Sequence, residues 1–362
     1  MNNKPHYLSD QEVANKTLAS FVNGRFSNPG GVKRLKGLSA GKLLKRFFVE
    51  GKPHSFPKGN IPVQKITRAQ LDALPVNENH VFRLGHSSIL LKLQGEYWLI
   101  DPVFSKRASP SQHLGPKRFH QVPISAQELP PLKGIILSHN HYDHLDKQTV
   151  LSLQAKTAHF YMPLGVAAIM ARWGIPEGKL TEFDWWQTLA VDDVRLTATP
   201  TQHFSGRGLK DGNASLWCSW VIALPATRIF FSGDSGYFSG FKHIGDALGP
   251  FDLVIMETGA YDRFWPSVHM RPEESFQAFI DLKGRRLLPA HNGTFDLSFH
   301  PWYEPFERIH ALAMASGVEL LTPRMGEPVC LDRPQQTTAW WRALMPETTR
   351  MELSVTAPET EV

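Results

Sequence analysis

The chain has 362 residues, 42% of them hydrophobic and 20% charged, with 27 glycines and 27 prolines. A chain of this size and composition buries a sizeable core, which excludes a disordered tail protein. Its longest charge-free stretch, residues 212–227, is too short and too polar for a bilayer-spanning helix, and two cysteines, Cys218 and Cys330, cannot build a disulfide framework.

The net charge of +5 is unevenly spread: residues 1–60 carry eleven Lys/Arg against three acids, so the rest of the chain sums to −3. That slightly acidic body is not the footprint of a nucleic-acid binder, and any anionic partner belongs to the basic N-terminal part. The N-terminus also lacks the apolar core of a secretory signal. The expected location is therefore cytoplasmic, with a peripheral position on the inner membrane face as an option.

In chain order, residues 32–48 interleave six Lys/Arg with Leu35, Leu38, Leu43, Leu44, Phe47 and Phe48, but Gly37 and Gly41 interrupt any helix. Pro53, Pro57 and Pro62 follow as a linker, then a short helix from Thr67 into Leu74. Strands are expected at 81–85, 88–95 and 96–102, separated by glycine-containing turns, before a long loop that carries Lys106, Arg107, Lys117 and Arg118. A buried strand (133–139), a helix (143–155), a strand (158–163) and a helix (164–174) come next. Further strands are expected at 194–203, 216–224, 228–234, 251–259 and 284–291, with helices at 272–284 and 305–317 and a frayed tail over 346–362.

Four of these strands end in a residue able to ligate a metal: His139, His203, Asp234 and His291. Residues 139–144 read His-Asn-His-Tyr-Asp-His, a dense set of imidazole and carboxylate donors. So many ligands crowd one tetrahedral ion, whereas two ions sharing a bridging carboxylate relieve the crowding and suit hydrolysis. Asp101, at the end of its own strand, is a candidate to orient a ligand histidine.

The order Gly-His-Ser-Ser at 85–88, Asp101, His139–His144, His203, Ser-Gly-Asp at 232–234 and Ala-His at 290–291 resembles the metallo-β-lactamase superfamily. Segments 108–119, 138–146, 184–187, 200–203, 249–253, 259–261 and 272–274 further resemble the N-acylphosphatidylethanolamine-hydrolysing phospholipase D family, over roughly residues 76–325. The resemblance implies an α/β fold, the αββα sandwich of two mixed sheets flanked by helices. It also implies two zinc ions per chain with a bridging hydroxide: His139, His141 and His203 would hold one, Asp143, His144 and His291 the other, and Asp234 would bridge them. Asp143 and His269 are the candidate catalytic residues, His269 as general acid or phosphate donor just ahead of a helix. Lys106, Arg107, Lys117 and Arg118 are candidates for binding phosphate.

The expected organisation is a basic extension over 1–75, serving as a membrane-docking or packing arm, a hydrolase domain over 76–345 and a flexible tail. The expected activity is a phospholipase D-type phosphodiesterase that releases N-acylethanolamine and phosphatidate. The alternatives are a hydrolase of another phosphodiester, ester or lactone, and a membrane-associated regulatory protein that retains the metals. The expected partner is a phospholipid or other phosphodiester substrate, and the family resemblance allows a homodimer.

Overall fold

The computed structural model describes residues 18–29, 52–333, 335–347 and 349. The basic segment 32–48 lies outside the described residues, as does the tail beyond residue 350.

Two mixed seven-stranded sheets face each other. The first holds β3 (His80–Gly85), β4 (Ser88–Leu93), β5 (Glu96–Ile100), β6 (Leu132–Ile136), β7 (Thr157–Pro163), β8 (Leu180–Phe183) and β16 (Pro328–Cys330), in the order β16-β3-β4-β5-β6-β7-β8. The second holds β9 (Thr188–Val191), β10 (Val194–Thr199), β11 (Ser219–Ala223), β12 (Arg228–Phe231), β13 (Leu253–Glu257), β14 (Arg286–Ala290) and β15 (Glu319–Leu320), in the order β15-β14-β13-β12-β11-β10-β9. Each sheet begins as an antiparallel meander and continues with parallel strands: β5 to β8 in the first, β12 to β15 in the second.

Alternation along the strands sorts residues between two layers of core. In the first sheet Val81, Ile89, Leu91, Trp98, Ile100 and Ile136 face the other sheet and join Trp217, Trp220, Phe231 and Ile255. Their neighbours Phe82, Leu84, Leu90, Leu99 and Ile135 point to the outer face. There they meet Val150 and Leu153 of helix α2 (Lys147–Leu153) and Ile169 and Met170 of α3 (Ala167–Ala171). Helices α4 (Gly240–Leu248) and α5 (Pro272–Asp281) cover the second sheet with Phe241, Ile244, Ala278 and Phe279. This is the expected αββα sandwich.

The expected helix near residue 67 is α1 (Arg68–Asp72), opened by a capping box between Thr67 and Gln70. Elements not expected from the sequence include strands β8, β9, β15 and β16 and helix α4. Strands β8 and β9 are only half-buried, so their pattern is weak, and α4 carries two glycines that depress its helical signature. The helix expected from Asp143 starts later, at Lys147, because Asp146 accepts the amide of Gln148 and caps it there. Asp143 and His144 consequently sit in the turn ahead of the helix.

The described parts of the N-terminal extension pack on this body. A small ribbon, β1 (Phe21–Val22) with β2 (Arg25–Phe26), buries Phe26 in the inter-sheet core, and the Phe26 amide donates to Asn213 O at 2.8 Å. Among the described residues no helix is long and apolar enough to cross a membrane.

Trp98 and Tyr161 close over Gly134 so tightly that a Cβ there would lie 2.7 Å from each ring. Gly134→Ala is therefore expected to cost about 1–3 kcal/mol through overpacking, read as a lowered denaturation midpoint at unchanged m-value.

Candidate metal centre

The centre is assembled at strand ends, beginning with Asp101. It follows β5 in a left-handed conformation (φ 41°) and turns its buried carboxylate beneath the end of β6. The amide of Ser138 donates to Oδ1 at 2.7 Å, and His144 Nδ1 lies 2.7 Å from Oδ2. With its Nδ1 proton given to Asp101, His144 presents a bare Nε2 to the interior.

The same logic fixes two more rings. His139 Nδ1 is 2.9 Å from Ser138 Oγ, and His203 Nδ1 is 2.9 Å from Val268 O. The carbonyl can only accept, so His203 Nε2 is also bare. His139 Nε2 lies 2.9 Å from His141 Nδ1, and His203 Nε2 lies 3.3 Å from that same atom. Three imidazole nitrogens converge, and a single proton cannot satisfy them all.

Asp234 is 2% exposed and stands between two clusters. Its Oδ2 lies 3.6 Å from His139 Nε2, 3.7 Å from His203 Nε2 and 3.1 Å from His291 Nε2, while Oδ1 lies 3.1 Å from His144 Nε2. Asp143 Oδ2 lies 3.4 Å from His291 Nε2 and 3.6 Å from His144 Nε2. The ligand atoms therefore form two sets of four: His139, His141, His203 and Asp234; and His86, Asp143, His144 and His291.

Several buried atoms in these sets have no hydrogen-bond partner: His144 Nε2, Asp234 Oδ1, and both ring nitrogens of His291. Bare imidazole nitrogens facing carboxylate oxygens repel unless a cation lies between them, so the donor set fits metal ions. Titration tells the same story. Burial alone would push the imidazoles of His144 and His291 down. The carboxylates of Asp234 and Asp143 outweigh it, holding His144 well above its ordinary value and raising His291 to about 10. His139 and His203, for which burial dominates, fall well below the usual histidine range. The Asp143 and Asp234 carboxyls are held well below the carboxylate range; burial opposes this, and His144 outweighs it. The field of the site favours positive charge between the ionised carboxylates and the imidazoles around them.

His269 borders both sets, with its ring centroid 5.0 Å from that of His203 and 5.2 Å from that of His291. Its Nδ1 is in short contact with Oε1 of Glu257, a fully buried carboxylate whose Oε2 accepts the amide of Ser235. Burial raises the Glu257 carboxyl, and His269 pulls it back down.

Of the basic loop, Lys106, Lys117 and Arg118 line a cleft of about 800 Å³, together with Lys65, Phe104 and Phe119. Arg107 does not line it but donates to Gly115 O at 2.5 Å. Arg118 lies over the Phe295 ring at 4.9 Å and donates to the Val103 and Ser105 carbonyls, so its charge is largely buried, and burial lowers its pKa to about 10. The fourfold phosphate-binding set expected from the sequence is thus split in the fold, with two surface lysines, one buried arginine and one loop brace.

Three residues at the centre escaped the sequence reading. His86 follows Gly85, where a Cβ would lie 2.7 Å from His120 Cε1, so only glycine permits the approach. His86 Nε2 sits 3.0 Å from Asp143 Oδ2, and its amide donates to Thr294 Oγ1 at 2.6 Å. Burial lowers its pKa to about 3, so a neutral ring donates to the carboxylate and orients it. His86→Ala is expected to weaken the ion of that set by about 10–100-fold in chelator competition while sparing the other ion. Glu257 ends β13, and the strand-end rule that selected the four ligands would have selected it too. Asn28 lies in the N-terminal extension, where its Oδ1 accepts the His203 amide at 2.9 Å and Trp217 Nε1 at 3.1 Å. No sequence pattern marks it.

Comparison with known proteins agrees with this geometry. A profile of the beta-lactamase superfamily domain matches residues 97–292. An uncharacterised Mycobacterium tuberculosis protein is 43% identical over 262 residues, covering 71% of this chain and 70% of its own. N-acyl-phosphatidylethanolamine-hydrolyzing phospholipase D 1 of Caenorhabditis elegans is 32% identical over 289 residues, covering 74% of this chain and 79% of its own. Among solved structures, isothiocyanate hydrolase from Delia radicum gut bacteria superposes with a TM-score of 0.55 at 17% identity, covering 69% of this chain and 98% of that one. The facing mixed sheets, the His/Asp sets at their strand ends and these matches make the chain a member of the metallo-β-lactamase superfamily, of its metal-dependent hydrolases.

Proposed function

We propose that this protein is a di-zinc phosphodiesterase of the phospholipase D type, which releases N-acylethanolamine and leaves phosphatidate from N-acylphosphatidylethanolamine. The observation that carries the reading is the pair of four-ligand sets with Asp234, a member of the first, reaching His144 and His291 of the second, as a carboxylate that would bridge two ions does. The imidazole and carboxylate donors, with no sulfur among them, suit zinc. When bound, two zinc ions would supply a hydroxide from water near neutral pH and neutralise charge on phosphoryl oxygens. His139, His141 and His203 would hold one ion, Asp143, His144 and His291 the other.

The chain's own residues supply the rest. Glu257, buried behind His269, holds the ring at Nδ1, which leaves Nε2 as the nitrogen that would carry a proton to the substrate. His269 delivers that proton to the leaving alkoxide oxygen, which departs as the neutral alcohol of the N-acylethanolamine. Asp101 and His86 keep His144 and Asp143 in place during turnover. A separate cleft, whose lining includes none of the candidate ligands, combines Lys65, Lys106 and Lys117 with Ile61, Val63, Phe104 and Phe119, a lining that suits a ligand with an anionic end and an apolar body. The substrate class rests on resemblance to the Caenorhabditis elegans phospholipase D.

The test is product analysis by mass spectrometry after incubation of the zinc-loaded protein with mixed phospholipids. N-acylethanolamine and phosphatidate in equal amounts are expected. Turnover of an aryl phosphodiester without either lipid product would point to another phosphodiester, and no chelator-sensitive turnover of any ester would point to the regulatory alternative. Docking on membrane through residues 32–48 belongs to the same reading. Replacing the six Lys/Arg of that segment by Gln is expected to weaken sedimentation with anionic vesicles at low salt, since each basic residue contributes about 1 kcal/mol near such a surface. Truncation at residue 50 is unsuitable, because it removes Phe26 from the core and Asn28 from His203.

A further inference from the structure

At the other end of β3 a second group of ligand side chains converges. Glu78 precedes the strand, His80 opens it, and Cys330 ends β16 directly opposite His80 in the antiparallel ladder. About 17 Å of strand separates His80 from the corner at Gly85 that leads into the catalytic centre. One donor atom from each of the three residues lies within 4.8 Å of the other two. His80 and Cys330 are 3% exposed.

Ordinary hydrogen bonding accounts poorly for this arrangement. Glu78 Oε2 lies 3.4 Å from His80 Nε2 and 3.8 Å from Cys330 Sγ, long for a proton-bridged contact between buried groups. Around a tetrahedral zinc ion with ordinary bond lengths, the N···O and S···O edges are about 3.4 Å and about 3.6 Å. The orientations agree as well. His80 Nδ1 faces the carbonyl of Glu78, which can only accept, so a ring protonated at Nδ1 presents a bare Nε2 to the carboxylate.

The neighbouring cations are turned elsewhere. Arg333 Nη1 takes Glu78 Oε1 at 3.0 Å, leaving Oε2 to the cluster. Lys92 Nζ donates to the carbonyls of Pro75, Val76 and Glu78.

We propose that Glu78, His80 and Cys330 form a third metal site, remote from the catalytic pair, for a borderline-soft divalent transition ion such as zinc, with water as the fourth ligand. The mixed S, N and O donor set selects such an ion over magnesium or calcium. On binding, the Cys330 thiol releases its proton to solvent and the thiolate bonds the ion. The site clasps the three-residue strand β16 to β3, a structural role independent of hydrolysis.

Sulfur provides the test, because neither catalytic set contains a cysteine and the chain's other cysteine, Cys218, is buried in the core. Metal-stripped full-length protein is titrated with cobalt(II). The expected result is three equivalents bound and a near-ultraviolet thiolate-to-cobalt charge-transfer band. Cys330→Ser and His80→Gln should each lose one equivalent and the band while phosphodiester turnover persists, and Cys218→Ser should keep the band. No band in saturated wild-type protein, or a band that survives Cys330→Ser, overturns the proposal. Should Cys330→Ser not fold, the wild-type thiol decides the matter: zinc present in excess of two equivalents should slow alkylation of Cys330 at least tenfold, and an unchanged rate sinks the site.

Discussion

Asp234→Asn is expected to lose both metal ions and at least a thousandfold in phosphodiester turnover, with the fold retained. The side chain is 2% exposed and reaches both ligand sets, His144 and His291 on one side, His139 and His203 on the other. An amide keeps the shape but removes the charge, and it offers one oxygen where two are used. The buried imidazoles, held neutral at His139 and His203, would then face a nitrogen donor in place of a carboxylate oxygen. Elemental analysis of purified protein checks the first claim, and circular dichroism checks the fold. Full occupancy of two ions in the variant would show that Asp143 and the histidines suffice, and would remove Asp234 as a bridge.

His269→Ala should keep both ions and lower turnover of a lipid-like alkyl phosphodiester about 100–10,000-fold, the span associated with general acid–base catalysis. A nitrophenyl diester, whose leaving group needs little protonation, should lose far less. Glu257→Gln is the companion variant. Glu257 holds His269 at Nδ1 and also accepts the amide of Ser235 beside Asp234, so it is a positioning residue, and its loss should reproduce the same leaving-group dependence in weaker form if the His269 contact is the one that matters. Equal losses on both substrates for His269→Ala would assign the ring to holding phosphate instead of moving a proton.

Much of this architecture is legible in the sequence because the strands are short apolar runs buried on both faces. Ser88–Leu93 and Leu253–Glu257 are buried throughout, and such runs announce themselves without alternation. The candidate ligands are legible for a related reason: a rigid strand sets the start of the segment that follows it at the rim of the sheet, and His139, His203, Asp234 and His291 stand just past the ends of β6, β10, β12 and β14. What was not legible depends on contacts between distant segments. Asn28 serves His203 from 175 positions away, and a lone asparagine in a basic stretch carries no local signal. His86 stood in plain view within a glycine-histidine pair, yet its role follows from its distance to Asp143, which no spacing encodes. The basic loop is legible only in part: two basic pairs suggest one anion site, and Lys106, Lys117 and Arg118 do line one cleft, but Arg118 is turned inward onto carbonyls and Phe295.

The division of ligands between the sheets has a consequence for how the holoprotein comes into being. One set takes His139 and His141 from the first half of the chain and His203 and Asp234 from the second; the other takes His86, Asp143 and His144 from the first and His291 from the second. Neither half alone can complete a set, so an ion must wait for Asp234 after β12 in the first set, or for His291 after β14 in the second, and for the halves to dock. Once captured, it ties the docked state to the free-metal concentration: each ion adds RT ln(1 + [M]/Kd), about 4 kcal/mol at a thousandfold excess over Kd. Metal starvation in a cell would therefore act first on the lifetime of the folded chain, by letting the halves part, and a protease would register it as readily as a substrate would.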